Sequence, residues 1–325
     1  MTTETRYIRA INKALGDAMD ADPSVILMGE DIAEAGGSFK ATRGLLERFG
    51  PERVRDTPIS ENTIAGAAVG AALTGLKPVI EIMFMDFVTL AMDGIVNQAA
   101  KSRFMFGGQA SVPIVLRLPH GGGLNAGPQH SQCLEAWFTH VPGLKVVCPA
   151  TIEDAYALTR AAIADPDPVI LVENKALYGM TGDLPEPTPA ARIGTARVAR
   201  EGHDVTLVTY GAALFTSLEA AKTLANEGIS AEVIDLRSLQ PWDEAAVLAS
   251  VAKTHRAVVV HEAVRSFGIG AEIAAVIGEV GFDDLDAPVG RVGAPFMPVP
   301  FARSLEERYI PSSAAIVAAA RKTLE

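Results

Sequence analysis

Apolar side chains recur at Ile8, Ile11, Leu15 and Met19, the spacing of one helix face, and the unbroken apolar run SVILMG after Pro23 suits a strand covered on both sides. The alternation repeats down the chain. Strands are predicted at 78–83 (PVIEIM), 113–118 (PIVLRL), 145–149 (KVVCP) and 168–173 (PVILVE), with helix-length segments at 60–75, 87–103 and 151–164. This order predicts an α/β domain over residues 1–182, layered about a mainly parallel sheet. Three prolines and little apolar content in GDLPEPTPAARIG predict a linker at 183–195. The pattern then restarts, with strands at 204–211, 231–239, 256–263 and 287–295 and helices at 213–227, 243–252 and near 269–280. A second, smaller α/β domain over 196–325 follows.

The segment DTPISENTIAGAAVGAALTG, 56–75, places a single carboxylate, Glu61, ahead of fifteen uncharged residues that run to Leu76. Gly66 and Gly70 are four apart, with Ala67 and Ala71 beside them, which predicts a close approach to another helix and a buried helix start. A carboxylate there is costly and tends to hold a proton. The plainer alternative is a solvated first turn, capped by Ser60, with Glu61 facing the helix dipole.

Composition narrows the field. Of the 325 residues, 49% are hydrophobic and 21% charged, more apolar than a monomer's surface needs, so subunit contacts are expected. A net charge of −11 without Lys/Arg clusters excludes a nucleic-acid binder. Cys133 and Cys148 fit neither a redox pair nor a zinc site and read as thiols in a reducing compartment. The start MTTETRYIRAINKAL has no secretory pattern, and the uncharged run 62–76 is shorter than the ~20 residues that cross a bilayer. A soluble, cytoplasmic protein with no membrane partner is expected.

GGGLNA, 121–126, matches a dinucleotide fingerprint in letters only, because Gly127 and Pro128 follow where a helix must open. No P-loop is present. His130, in GPQHSQ, lies in a Gly-rich loop after a predicted strand, where α/β proteins place ligands. His120 shares the loop but adjoins the strand. Phe84 and Phe87, in MFMDF, suit either a core or stacking on a flat ring.

Several long stretches in order carry a resemblance: MGEDIAEAGGSFKATRGL, DTPISE, EIMFMDF, NQAAKSRFMFGG, GPQHSQCLEAWFTHVPGLKVVCPAT and DVTLVTYG followed by AEVIDLRSLQPWD. Together they resemble the β subunit of the thiamine-diphosphate-dependent dehydrogenase component of 2-oxo acid and acetoin dehydrogenase complexes, over nearly the whole chain. The resemblance implies a pyrimidine-binding α/β domain followed by a transketolase C-terminal-like domain. It implies that Glu61 hydrogen-bonds the aminopyrimidine ring of thiamine diphosphate, that Phe87 stacks on that ring, and that Ile59 also contacts the cofactor. Of the remaining positions, His130 matches the active-site histidine near the thiazolium and the lipoyl group, and Glu30 an acid linked to proton transfer between active centres. Ile114, Ala162, Asp165 and Asp167 fall where relatives hold a structural potassium ion, largely through backbone carbonyls. A carboxyl at the pyrimidine nitrogen favours the imino tautomer of the cofactor's amino group, which then removes the thiazolium proton.

The Gly-Asp-Gly segment and paired asparagines that hold magnesium and diphosphate in such enzymes are absent. The resemblance therefore implies a separate α subunit carrying most of the magnesium site, in an α2β2 assembly, with acyl transfer to a lipoyl-bearing dihydrolipoamide acyltransferase. QHSQ and MDF look more like the pyruvate and acetoin branch, while LQPWD leans toward the branched-chain branch. Other readings are a transketolase-like fragment and a non-catalytic α/β assembly protein. No catalytic residue is expected in the second domain, where His255, His261 and Glu262 end a strand without a Gly-rich ligand loop. Glu306 and Glu307 are expected to serve as surface charges for a basic docking partner.

Overall fold

Every apolar run read as a strand in the first half of the chain becomes one in the computed structural model, which describes residues 2–325. Two units form, one of residues up to His120 with Trp137–Ile193, the other of Gly121–Ala136 with Gly194–Glu325. In the first unit, strands β1 (Thr2–Arg6), β2 (Val25–Gly29), β3 (Val54–Asp56), β4 (Lys77–Glu81), β5 (Val115–His120), β6 (Lys145–Val147), β7 (Val169–Asn174) and β8 (Thr181–Pro185) alternate with helices. The helices of this stretch are α1 (Tyr7–Ala21), α2 (Leu45–Phe49), α3 (Glu61–Leu73), α4 (Ala100–Met105), α5 (Glu135–Thr139) and α6 (Ile152–Ala164). Six strands lie in the order β6-β7-β5-β4-β2-β3, all parallel. Their interior side chains are covered on both faces, which is why they read as continuous apolar runs.

Two parts of this unit differ from expectation. Residues 181–185, at the edge of the proline-rich stretch, form β8 and pair antiparallel with β1, a partner that lies at the far end of the sequence. The expected helix over 87–103 is irregular: a 3₁₀ turn at Met85–Ala91, a π turn at Gly94–Ala99, then α4. Gly94 lets this segment lie close to α3, since a Cβ there would lie 3.0 Å from that of Ala65. The close helix approach is made by Gly94, not by Gly66 and Gly70, which are exposed and face nothing within 4 Å. The buried face of α3 is Glu61, Ile64, Ala65, Ala68, Val69 and Ala72.

The second unit holds β9 (Arg197–Arg200), β10 (Val205–Thr209), β11 (Ala231–Asp235), β12 (Ser238–Gln240), β13 (Ala257–Val264) and β14 (Gly290–Ala294). Its helices are α7 (Ala213–Ala225), α8 (Glu244–Thr254), α9 (Ile269–Val280), α10 (Arg303–Tyr309) and α11 (Ser313–Lys322). A five-stranded sheet runs β14-β13-β10-β11-β9 and is parallel except for β9. No helix among the described residues is long and apolar enough to cross a membrane.

Candidate active site

Parallel strands deliver their following loops to one sheet edge, so Glu30, just after β2, and the turn after β4 arrive on the same side. Glu61 opens α3 and is buried. Ser60 does not cap the helix, because its Oγ pairs instead with Thr63 Oγ1 at 2.8 Å. The solvated-cap reading of Glu61 is therefore not what the fold builds. Glu30 is buried too, and its Oε1 has no hydrogen-bond partner among the described residues. Burial raises the Glu30 carboxyl above its ordinary range, and the charges of Glu61 and then Asp31 push it further. Two acids far apart in sequence thus stand close enough to feel one another.

The 3₁₀ turn bearing Phe87 packs on α3. The half-buried Phe87 ring meets Phe84 edge-on, with centroids 5.8 Å apart at 76°, and Phe84 meets Phe39 at 5.6 Å. Ile59, two residues before Glu61, is 84% exposed. A flat ring bearing nitrogen atoms suits this corner, which offers two buried carboxyl groups, one with an unbonded oxygen, and an anchored aromatic. Thiamine diphosphate's pyrimidine has that chemistry, so these residues fit it.

His130 belongs to the second unit, with the rest of residues 121–136. It is half-buried, its backbone N–H donates to Gly127 O at 3.3 Å, and the neighbouring Ser131 hydroxyl is buried without a hydrogen-bond partner among the described residues. Two further acids meet its loop: Glu262 accepts from the Gly122 N–H at 2.6 Å and Glu306 from the Asn125 N–H at 3.0 Å. Two expectations are corrected here. Glu262 does have a Gly-rich loop against it, and Glu306 is a buried residue that cannot serve as a surface docking charge. Glu307 is exposed and paired with Arg303 at 2.8 Å.

Two other histidines, His261 and His120, are buried. Burial lowers His261 to about 4, its Nδ1 lies 3.0 Å from Ala263 O, and its ring stacks on Tyr210. Burial, with Lys175 adding, lowers His120 to about 3, and its Nε2 lies 4.0 Å from Cys148 Sγ.

Glu135, beyond the same loop, is fully buried, and Tyr210 donates to its Oε1 at 2.8 Å. Burial raises its carboxyl from 4.5 to about 7 despite the Tyr210 bond, with Glu262 adding to the rise. A raised carboxyl gives stability that is complete below the unfolded value and is lost as pH rises through the folded one. Between about 4.5 and about 7 the native protein should therefore lose stability, and Glu135→Gln should flatten that slope. Melting curves across this window test it, and equal slopes in both proteins would refute it.

Sequence reading missed a buried ion cluster. Arg117 on β5 donates to Glu173 on β7 through Nε at 2.7 Å and Nη2 at 2.8 Å, and to Glu81 on β4. Tyr178 donates to Glu173 at 2.7 Å. Burial and the charge of Glu173 raise the Glu81 carboxyl, with Arg117 opposing. The available signal was one charge inside each of three apolar runs, PVIEIM, PIVLRL and PVILVE.

Ile114, Ala162, Asp165 and Asp167 lie at the opposite sheet edge, before β5 and β7. Lys145 Nζ holds Asp165 at 2.7 Å and Asp167 at 3.3 Å, and Arg103 holds Asp167 at 2.5 Å. The carbonyls of Ile114 and Ala162 accept from Val169 at 2.9 Å and Asp165 at 3.3 Å. The carboxylates of Asp165 and Asp167 are thus engaged by fixed cations.

Comparison with known proteins shows the family. Residues 3–181 match the family "Transketolase, pyrimidine binding domain" and residues 194–316 "Transketolase, C-terminal domain". The chain is 49% identical over 317 residues to the mitochondrial pyruvate dehydrogenase E1 component subunit beta-2 of Oryza sativa subsp. japonica, covering 96% of this chain and 84% of that protein. It is 48% identical over 326 residues to the acetoin:2,6-dichlorophenolindophenol oxidoreductase subunit beta of Cupriavidus necator, covering 97% and 96%. A solved split-gene transketolase, described as an inactive beta4 tetramer, superposes with a TM-score of 0.81 at 26% identity, covering 98% of this chain and 97% of that one. The chain belongs to the family of pyruvate dehydrogenase E1 and acetoin oxidoreductase β subunits, built from transketolase-type pyrimidine-binding and C-terminal domains.

Proposed function

We propose that this chain is the β subunit of a thiamine-diphosphate-dependent dehydrogenase that cleaves pyruvate or acetoin and passes the acyl group to lipoamide on an acyltransferase. The observation that carries the reading is the buried pair Glu30 and Glu61 beside Phe87, on a chain similar to both pyruvate and acetoin β subunits. Thiamine diphosphate, when bound, supplies the carbon nucleophile that attacks the substrate carbonyl. Glu61, buried at the start of α3, would hold a hydrogen bond to the pyrimidine, Phe87 would pack against the ring, and Ile59 would contact the cofactor. Glu30, whose carboxyl is raised by burial and by Glu61, is assigned to proton transfer in the same pocket. His130 is assigned to the acyl-transfer step, where an imidazole donates or accepts a proton near neutral pH.

An α subunit completes the magnesium and diphosphate site in our reading, in an α2β2 enzyme. Exposed apolar residues on the first unit support a partner: besides Ile59, Leu90, Met105 and Phe106 are open to solvent and Phe104 is 90% exposed. A cytoplasmic setting is part of this reading, in keeping with two cysteines that form no disulfide.

The test is reconstitution with a candidate α subunit, followed by lipoamide-linked assay on pyruvate, acetoin and branched 2-oxo acids. Turnover on pyruvate or acetoin is expected. Turnover confined to branched 2-oxo acids, or none at all with cofactor left unbound, would overturn the reading.

A further inference from the structure

The loop that leads to His130 is built from unusual backbone. Gly121, Gly123 and Gly127 have φ of 85°, 91° and 77°, and Asn125 has φ 55°. A chain bent in this way cannot place its N–H groups in a ladder, so they need acceptors from elsewhere. Two such acceptors are carboxylates from distant elements of the same unit, Glu262 on β13 and Glu306 on α10. They take the Gly122 N–H at 2.6 Å and the Asn125 N–H at 3.0 Å.

The fit is tight on all sides. A Cβ on Gly122 would lie 3.2 Å from Glu306 Oε1, 3.6 Å from Glu262 Oε1 and 3.2 Å from Ile310 Cδ1. Both acids therefore close on the same glycine. At Gly127 a Cβ would lie 2.2 Å from the Phe301 ring, so the chain just ahead of α10 also rests on the loop. Glu306 is only 2% exposed; its Oε2 takes the loop N–H, and its Oε1 has no hydrogen-bond partner among the described residues. A buried carboxylate is costly to keep unless it holds something in place.

We propose that Glu306, with Glu262, is a positioning residue that fixes the Gly121–Gly127 loop and through it sets His130 for acyl transfer. The proposal rests on the role assigned to His130. Neither acid need touch substrate; each acts through a backbone N–H, so an isosteric acceptor should suffice.

In the reconstituted α/β enzyme, Glu306→Ala is expected to lower kcat for acyl transfer to lipoamide on the order of 10–100-fold, the size a misplaced group costs. Binding of thiamine diphosphate and the KM for the 2-oxo acid should stay near wild type. Glu306→Gln retains an oxygen for the Asn125 N–H and should restore most of the rate. Gly122→Ala, which keeps both acids but crowds the loop, should reproduce the loss even if Glu306→Ala does not fold. A wild-type kcat in Glu306→Ala or in Gly122→Ala would overturn the proposal, as would a Glu306→Gln enzyme as slow as the alanine variant. His130→Ala is the control: if it leaves acyl transfer unchanged, the assignment of His130 falls, whereas a slow His130→Ala beside a normal Glu306→Ala refutes positioning alone.

Discussion

Glu61→Gln is expected to leave the fold and melting temperature unchanged while slowing proton exchange at the thiazolium carbon of bound thiamine diphosphate by on the order of 10²–10⁴-fold. Glutamine matches glutamate in shape, so the buried face of α3, with Ile64, Ala65 and Ala68, keeps its packing. What changes is the proton inventory. A carboxyl can hold or share a proton with a ring nitrogen, and an amide cannot take part in that exchange. The same substitution removes the charge that helps to raise Glu30, so the Glu30 carboxyl should move back toward its ordinary range. Quenched isotope exchange read by NMR measures the first effect without depending on turnover. An exchange rate within a few-fold of wild type would return Glu61 to a packing role.

Arg117→Met is expected to destabilise the first unit by about 3–5 kcal/mol, because it strands Glu81 and Glu173 as buried charges without a partner. Arg117 is 1% exposed and lies on the central strand β5, between the strands that carry the two acids. Among the described residues Arg117 is the cation that pairs with both acids, while Tyr178 supplies a hydrogen bond to Glu173 but no charge. The sign of the pH dependence follows from Glu81, whose carboxyl is already raised by burial. Without Arg117 it should rise further, so the stability deficit should grow as pH increases above the carboxylate range. Denaturant titrations at several pH values check both parts. Replacing all three residues by apolar side chains of similar volume should recover much of the loss. A variant as stable as wild type at neutral pH would show that the cluster is not a paired-charge structure.

The chain's sequence was legible wherever one residue's surroundings depend on its neighbours in sequence. Buried parallel strands are covered on both faces, so SVILMG, PVIEIM and PVILVE declared β2, β4 and β7 from their own composition. Helices α1 and α6 were legible from their spacing or length, and α3 from an uncharged run that begins at its only acid. Glu61 stood out for that reason. Its burial beside Glu30 came only from the fold, which carries the ends of β2 and the start of α3 to one sheet edge.

Pairing across distance left no local trace. Strand β8 lies in a stretch whose prolines suggest a linker, and it is held by β1 nearly the whole first unit away in sequence. The glycines of α3 look made for helix packing, yet the contact is formed by Gly94, which sits in a turn that a regular helix period does not describe. Glu306 and Glu307 are adjacent and alike in sequence, but α10 turns one toward the glycine loop and the other toward solvent. Which of two neighbouring charges is buried depends on helix phase and on what lies opposite. Composition cannot specify that, because a carboxylate is stable in the interior only where the fold brings donors to it.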